Sequence, residues 1–571
     1  MRYWRSILLT AAACSQVVMS QTVEVPLTHW SYDLLDRLRT NGRCDLGTAN
    51  TRPLSRTILL ATMLKIYHES SERLSRTERE SMAFLFYEFA EEVEKLEARD
   101  GAVASGEQQR TAQDRFVGWL PGPFYANARN LLAWRQQHFS FYFDPILYRD
   151  GTYNHPDTLD SQDRVLQNIS GFTFWGTLGN KLGYYLNSRD TKEHGTRSYP
   201  TSSRITWPRY GFARGHGTHI YHDETIAYLF LSIPHLDFEV GKNQNRWGPG
   251  HTGSLMLNDY ATSYDQIKLA VSFWKAKFTY LHGFLHQYPP LPLTSYESNG
   301  VERQIVANKY VAAHRLEMAP TPWLNFALHE TILYGERGVE LAYLNPIMFY
   351  RSAEHFLGDR DNAMMGADLE ARPVRGLRLY GELLVDDFSV ARLGESWYGN
   401  KTAWLAGLHA TDPFGLPSSD WHLELVHLDP YVYSHTFPIN VYQNYATSLG
   451  HWAAPNSELL HFEWLFWPQR QWRFRFIAEQ YRHGANPDDR NVGGDIDRAF
   501  HVMDAQTVFF LDGIRERRRR FRLDASYELF RNLRVKAALE HTDFENAPAT
   551  NGRLPVSTWS FFLALGLNAE E

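Results

Sequence analysis

Most of the chain from residue 139 onwards alternates apolar residues with charged or polar ones. In residues 375–387, apolar side chains occupy one set of alternate positions and charged side chains the other: Leu377, Leu379, Leu383 and Val385 against Arg378, Glu382 and Asp386. Side chains of a strand point alternately to its two faces, so this pattern predicts a strand with one apolar and one polar face. Residues 521–530 and 533–540 repeat it, with Leu523 and Asp524 on opposite faces.

One closed sheet explains this pattern better than several soluble domains, although the chain has 571 residues. Open sheet edges invite aggregation, and lipid tolerates no unpaired backbone groups. No apolar run reaches the ~18 residues of a membrane helix, and the aromatic fraction of 14% suits interfacial girdles. We therefore predict an all-β transmembrane barrel of about 18 antiparallel strands over residues 116–571. The last expected strands are residues 505–511, 521–529, 533–543 and 557–567.

The first residues predict export. Residues 1–20 combine a basic start, an apolar stretch and small residues before Gln21, which is typical of a cleaved signal peptide. Cys14 as a lipoprotein acceptor is the weaker alternative. After cleavage only Cys44 remains, and we interpret it as a small buried core residue.

Residues 21–115 predict a small α-helical module and a linker. Apolar residues at helical spacing indicate a first helix that stops at Asn41-Gly42, a second that begins after an N-cap at Ser55, and a third over residues 79–97. The glutamates of the third helix, Glu88, Glu91 and Glu92 among them, are expected on a solvated outer face. Residues 100–113 resemble a linker, so we expect the module to be separable from the barrel.

Three segments carry a family resemblance. Residues 241–259 read GKNQNRWGPGHTGSLMLND, residues 343–373 read YLNPIMFYRSAEHFLGDRDNAMMGADLEARP, and the module contains VPLTHWSYDLLDRL followed by RPLSR. They resemble the capsule-assembly outer-membrane protein family called Wzi, over nearly all of the mature chain. The resemblance implies an eighteen-stranded barrel in the outer membrane of a Gram-negative bacterium, with an attached helical bundle. It also implies a non-enzymatic lectin that holds capsular polysaccharide at the cell surface.

The first two segments contain the residue types of a sugar site. Sugars bind through hydroxyl hydrogen bonds and by stacking on aromatic rings, which requires amides, carboxylates, planar donors and Trp or Tyr. We therefore predict polysaccharide contacts from two groups of loop residues. The groups are Asn245, Arg246, Trp247, His251, Asn258 and Asp259, and Asn345, Tyr350, Arg351, Glu354, His355, Asp359, Arg360, Asp361 and Asn362. Bracing of the barrel wall is the alternative interpretation for each residue.

Other chemistry is weakly indicated. We expect no cofactor and no metal, since His-x-x-x-His or Cys-x-x-Cys spacings that would indicate zinc do not stand out. His216, His219 and His222 are interpreted as loop histidines, Asp488, Asp489, Asp495 and Asp497 as a solvated hairpin rather than a calcium loop. The basic run Arg515 and 517–520 is either a solvated turn or a contact for anionic lipopolysaccharide or acidic polysaccharide. Adjacent Asp386 and Asp387 point to opposite faces and make no glycosidase pair.

The expected function is non-enzymatic binding of capsular or other surface polysaccharide in support of capsule attachment. The expected partners are that polymer and outer-membrane lipid. The net charge of −7 does not favour nucleic acid. A carbohydrate-permeable porin is the alternative, because both functions need a polar lumen.

Overall fold

A computed structural model describes residues 23–100, 127, 129–156, 163–179, 181–195, 213–216, 218–549 and 552–569. The signal peptide, the linker and the predicted domain boundary at residue 116 lie outside these residues. Eighteen antiparallel strands form a closed barrel. They are β1 Phe139–Pro156, β2 Asp163–Leu178, β3 Leu182–Gly195, β4 His219–Ile233, β5 Leu236–Asn243, β6 Tyr264–Phe273, β7 Ala276–Leu285, β8 Lys309–Thr321, β9 Leu324–Gly335, β10 Asn362–Val374, β11 Leu377–Asp387, β12 Lys401–Thr411, β13 Ser419–Leu428, β14 Ser457–Gln469, β15 Trp472–Ala485, β16 Ile514–Phe530, β17 Leu533–Ala549 and β18 Gly552–Leu567.

The barrel closes between its first and last strands, where β18 pairs with β1 from Thr558↔Pro156 to Leu567↔Leu147. An extra strand, Leu132–Gln136, pairs with the first residues of β1, which precede the part of β1 that pairs with β18. The predicted barrel class is therefore confirmed. The expected strand at residues 505–511 is wrong, because this segment lies in a loop where Val508 packs against Tyr431 and Val492. The apolar residues of this loop pack in a small core, and their spacing happens to match the alternation of a strand.

The alternation gives the two faces of the wall as predicted. Leu379 and Leu523 are 42% and 54% exposed on the outer surface, whereas Glu382 is only 4% exposed and faces the lumen. The inward residues of β8 to β14 pack on chain segments inside the barrel, so part of this lumen is apolar rather than polar. Its core includes Leu281, Leu333 and Leu405 from the wall, and Leu255 and Tyr433 from the interior.

The two rims of the barrel differ. Tight turns join β9 to its neighbour β8 and β11 to β10 at the turn end, where the backbone N–H of Gly376 donates to Thr40 in the helical module. Longer connections lie at the opposite rim, the loop end. Two of them fold into the lumen, and we call them the inserted loops: residues 244–263 and residues 429–456. The connection of residues 336–361, the outer shelf, is described below.

The module consists of four α-helices: α1 Ser31–Thr40, α2 Arg56–Ser70, α3 Arg76–Glu88 and α4 Ala90–Asp100. Asn41 caps the end of α1. The Ser55 hydroxyl accepts from the backbone of Ile58 at the start of α2, which confirms both predicted boundaries. The predicted third helix is instead two helices, because the chain turns at Phe89. Among the described residues, none of the helices is long and apolar enough to cross a membrane. Cys44 is buried in the module core, as expected.

The predicted solvated face of the third helix is only partly right, since Glu94 and Lys95 are exposed but three glutamates are not. Glu88, Glu91 and Glu92 are all buried. Glu88 accepts from the Trp30 indole at 3.2 Å, and Glu91 pairs with Arg129 near the first barrel strand. Their partners come from distant segments, so local charge patterning cannot reveal them. The module buries this face against the barrel instead of water.

The module fills the turn-end mouth of the barrel. Leu465 and Trp467 of β14 belong to the same apolar core as its helices. Arg37 donates to Asp420 at 3.0 Å, and Arg39 donates to Glu370 at 2.9 Å. Burial raises the pKa of Asp36, but the guanidinium groups of Arg52, Arg378 and Arg39 outweigh burial and hold this pKa well below its ordinary value. Charge pairs therefore hold α1 inside the mouth.

Candidate functional site

Two glutamates of the wall hold the first inserted loop. The Glu382 carboxylate accepts from the backbone N–H groups of Gly250 at 2.9 Å and Leu255 at 2.8 Å. The Glu424 carboxylate accepts from the N–H groups of His251 at 2.6 Å and Thr252 at 2.9 Å. A loop in the lumen needs partners for its backbone groups, and these two carboxylates supply them.

The predicted site residues of this loop mostly face protein. The Trp247 side chain is fully buried. The backbone of Trp247 pairs with that of Thr51 in the module. Asn245 donates to Gln266 at 2.6 Å, and Arg246 donates to the carbonyl of His251 at 2.8 Å. Asn258 is buried, and its backbone N–H donates to Leu449. His251 and Asp259 are partly exposed. In this conformation the Trp247 ring offers no free face for a sugar.

The second group of predicted residues lies on the outside of the barrel. The outer shelf contains two short helices, α5 Leu341–Leu344 and α6 Tyr350–Phe356. Its Tyr343 and Tyr350 pack on Tyr310, Ile332 and Tyr334. These wall residues alternate with Val311 and Leu333, which belong to the lumen core, so the shelf covers the outward face of β8 and β9.

An outward-facing carboxylate fixes the shelf. Glu330 of β9 accepts from the backbone N–H groups of Tyr350 and Arg351 at 2.9 Å each, at the start of α6. Glu330 also lies 3.2 Å from His314 of β8, so the shelf and the neighbouring strand together cover this outward carboxylate. Arg337 and Tyr343 donate to Asp361, which closes the shelf on itself.

The shelf divides its predicted residues by exposure. Tyr350, Glu354, Asp361 and Asn362 are buried, Arg351 is partly exposed, and Asn345, His355, Asp359 and Arg360 are exposed. His355 contacts Asp359 at 2.5 Å. Burial raises the pKa of the Glu354 carboxyl to about 7, against the opposing charge of Arg351. The structure therefore separates the two predicted groups, one in the lumen and one outside the wall.

A second polar surface lies on the lumen side of β16 and β17, next to the point where Arg518 of β16 lies over the Trp452 ring of the second inserted loop. We call Arg520, Arg522, Asp524 and Glu540 the lumen ladder. Arg520 donates to Glu540 at 3.0 Å, and Arg522 donates to Glu540 at 3.2 Å and to Asp524 at 2.7 Å. Their side chains are 21% to 28% exposed, whereas Arg315 and Asp368 across the lumen are not exposed at all. The ladder is therefore a partly exposed part of the charged lumen wall.

Neutral hydrogen-bonding groups continue the ladder around the wall. Ser560 of β18 donates to Asn154 of β1 at 2.7 Å, and the Arg522 guanidinium lies 5.9 Å from the centre of the Phe562 ring. Sequence reasoning placed Arg522 and Asp524 on the polar face but did not single them out. The sequence signal for this surface was the basic run of Arg515 and residues 517–520. Its interpretation as a turn is wrong, because the run lies in β16 and its side chains point alternately inward and outward.

Two cavities border the interior segments. One of about 170 Å³ lies between residues 24–28 and β2 to β4, and its lining includes Gln167, Tyr185, Asn187 and Arg189. The other, of about 230 Å³, lies between the module and the first inserted loop, and its lining includes Asp36, Arg246, His251, Asp259 and Arg475. Amides and an aromatic ring suit a neutral sugar in the first, and the second is mainly charged.

The other histidines and aspartates considered in the sequence analysis lie in strands and in an exposed connection. His219 and His222 lie on β4 rather than in a loop, and the side chain of His216 lies outside the described residues. Asp488, Asp489, Asp495 and Asp497 are exposed in the connection after β15. Asp386 accepts from the backbone of Tyr433 at 2.6 Å inside the lumen, whereas Asp387 lies 3.9 Å from Arg351 of the shelf. This placement confirms that the two aspartates face opposite sides.

The closed wall, the lipid-compatible outer face and the module in its mouth define a plugged transmembrane β-barrel. The family model for the capsule assembly protein Wzi matches residues 170–553, more than half of the chain. The chain belongs to this Wzi family, whose proteins are outer-membrane barrels. No curated protein sequence matches it.

The solved structure of a Wzi protein shares this fold. Wzi of Escherichia coli is described as an outer-membrane protein involved in group 1 capsule assembly and as a carbohydrate-binding β-barrel. It is 13% identical, with a TM-score of 0.53 over 95% of this chain and 99% of that chain. OccAB2 of Acinetobacter baumannii is 11% identical, with a TM-score of 0.41 over 74% of this chain and 97% of that one. OccK5 of Pseudomonas aeruginosa is 11% identical, with a TM-score of 0.39 over 74% and 98%.

Proposed function

We propose that this protein binds surface polysaccharide without catalysis and so supports attachment of a capsule. In this proposal residues 1–20 direct export and are removed, and the polymer is held in the outer membrane, next to its lipid and lipopolysaccharide. Membership of the Wzi family supports the capsule role. The observation that carries the binding role is the lumen ladder, because it is charged, partly exposed and preorganised.

The chemistry of the ladder suits a sugar polymer. Arg520 and Arg522 present planar donor forks that match carboxylates and vicinal hydroxyls, and Glu540 accepts hydroxyl hydrogen bonds. Their mutual pairs hold the side chains in place before a ligand arrives, which lowers the entropic cost of binding. Of the residues predicted from sequence, we propose that the buried ones brace the loops. The exposed ones on the shelf are proposed to make auxiliary contacts: Asn345, His355, Asp359 and Arg360.

The test compares arginines that face opposite sides of one strand. The double variant Arg520→Gln, Arg522→Gln removes two lumen-facing charges, and Arg519→Gln removes an exposed outward charge from the same strand. We expect the double variant to shed several-fold more capsular polymer into the medium and to bind less polymer when purified. The control should match the parent. Because retention is multivalent, the purified-protein assay is the more sensitive measurement.

Equal polymer binding by the double variant and the Arg519→Gln control would move the site away from the ladder. The variant His355→Ala, Arg360→Ala then tests the shelf in the same assay. All variants must first show the heat-modifiable band of a folded barrel, so that loss of binding is not loss of assembly.

A further inference from the structure

We propose that the lumen holds a divalent transition-metal ion, most simply Zn²⁺, between the first inserted loop and the barrel wall. His251 of the loop meets His461 and Glu463 of β14. One ligand atom from each lies within 4.8 Å of the others. Two imidazoles and one carboxylate are a ligand set that zinc uses when its fourth position is left to water.

The wall half of the site follows from strand geometry. His461 and Glu463 are two residues apart on β14, so both point into the lumen. His422 of β13 pairs in register with Glu463, and its ring stacks on that of His251 with centroids 3.9 Å apart. The loop half is fixed by Glu424, which accepts the His251 backbone N–H. The ligands are therefore held by structure that exists before any ion binds.

One buried ring nitrogen in this cluster has no hydrogen-bond partner among the described residues, which points to a bound ion. The His461 side chain is buried, and its Nε2 has no hydrogen-bond partner. Its Nδ1 lies 3.3 Å from the Glu479 carboxylate on β15. Metal-binding histidines commonly donate their second ring nitrogen to a carboxylate in this way, which leaves the other nitrogen for the metal. A buried nitrogen without a partner is otherwise unfavourable.

One pair of ligand atoms already has the spacing of a zinc site. His251 Nε2 lies 3.4 Å from Glu463 Oε2, and ligand atoms on a tetrahedral zinc lie about 3.3 Å apart. Arg475 lies 3.4 Å from the other Glu463 oxygen and orients the carboxylate. The cavity of about 230 Å³ reaches His251, which gives an ion a route to the site. In this arrangement the metal fastens the inserted loop to β14.

The experiment uses the full-length protein in detergent, without an affinity tag and stripped with a chelator. We expect titration with Zn²⁺ to show one saturable equivalent per chain, and Co²⁺ at the same site to give the intense visible absorption of four-coordinate cobalt. Zn²⁺ should also raise the unfolding temperature, because an ion that binds only the folded state stabilises it. Absence of a saturable equivalent in the parent protein overturns the proposal.

Variants separate this site from adventitious binding. His461→Ala and His251→Ala should each abolish the saturable equivalent and the stabilisation, and Glu479→Gln should weaken binding roughly 10–100-fold by releasing His461. His427→Ala, which removes a histidine that contacts Asp429 near the loop end of β13, should bind as the parent does. If His461→Ala fails to assemble, Glu463→Gln replaces it. Undiminished binding in the ligand variants would equally overturn the site.

Discussion

At the scale of single residues, lumen-facing carboxylates are not equivalent. Glu382 is buried and accepts two backbone N–H groups of the inserted loop, whereas Asp524 of the ladder is partly exposed and pairs with Arg522. Alternation along the strands assigns both to the lumen face but cannot tell a bracing side chain from an accessible one, because that depends on what a distant loop covers.

We therefore predict that Glu382→Ala destabilises the barrel far more than Asp524→Ala. The first change leaves two buried N–H groups without partners, at about 1–3 kcal/mol each, and the second removes a partly screened pair worth at most about 1 kcal/mol. Leu379→Arg, on the lipid face, should cost ~2–4 kcal/mol near mid-membrane. Urea unfolding from lipid vesicles measures all three. Equal costs at Glu382 and Asp524 would mean that the loop is not held by this carboxylate.

At the scale of elements, the strands could be predicted from sequence and the direction of the loops could not. Period-two alternation gives β11, β16 and β17 because each strand has a single outward face. The two loop motifs share polar and aromatic residues, yet one enters the lumen and the other covers the outer wall. The side of the wall on which each loop lies depends on the carboxylate that accepts its backbone N–H groups, Glu424 or Glu330. These glutamates lie on different strands and point to opposite sides of the wall.

The outer shelf should respond to pH through Glu354. Its pKa of about 7 lies above the ordinary value of 4.5, so the folded shelf disfavours the charged form. The resulting stabilisation is complete below the ordinary pKa and is lost as pH rises through the folded pKa. Between these values, opening of the shelf should increase by about tenfold per pH unit at most. Docking is thus tighter at pH 5 than at pH 8.

Hydrogen exchange of residues 336–361, corrected for intrinsic rates, measures this opening. Glu354→Gln should keep the shelf protected at pH 8 and remove most of the pH dependence. Glu336→Gln is the matched control, because this carboxylate of the same shelf pairs with the exposed Arg360 and is not among the groups that shift the pKa of Glu354, so it should leave the pH profile unchanged. A wild-type profile that is flat from pH 5 to pH 8 would contradict the role of Glu354.

At the scale of the whole molecule, the module and the barrel form one structure across the turn-end mouth. The sequence suggests a separable module, because a linker follows the helices. It does not reveal the contacts of the module with the wall, because the partners are hundreds of residues away in the chain. Thr51 donates to Glu317 of β8 at 2.6 Å, and Lys268 of β6 donates to Glu24 at 3.0 Å. These pairs continue the contacts of Arg37 and Arg39 around the mouth. Removing residues 26–97 would therefore strip partners from the interior of the wall.

The sharpest test of this coupling changes one fully buried arginine. Arg39 is not exposed and pairs with Glu370, which is also not exposed. Arg39→Met leaves this carboxylate with the longer contacts to Arg372 at 3.5 Å and Arg378 at 3.8 Å, so the cost is at most about 3–5 kcal/mol. We expect a lower temperature for conversion of the folded gel band, and larger current steps in planar bilayers as the module leaves the mouth. Arg76→Met is the control, because Arg76 pairs with Glu80 at the exposed surface and should change neither measurement. Parent-like behaviour of Arg39→Met would instead mean that this pair does not hold the module in the mouth.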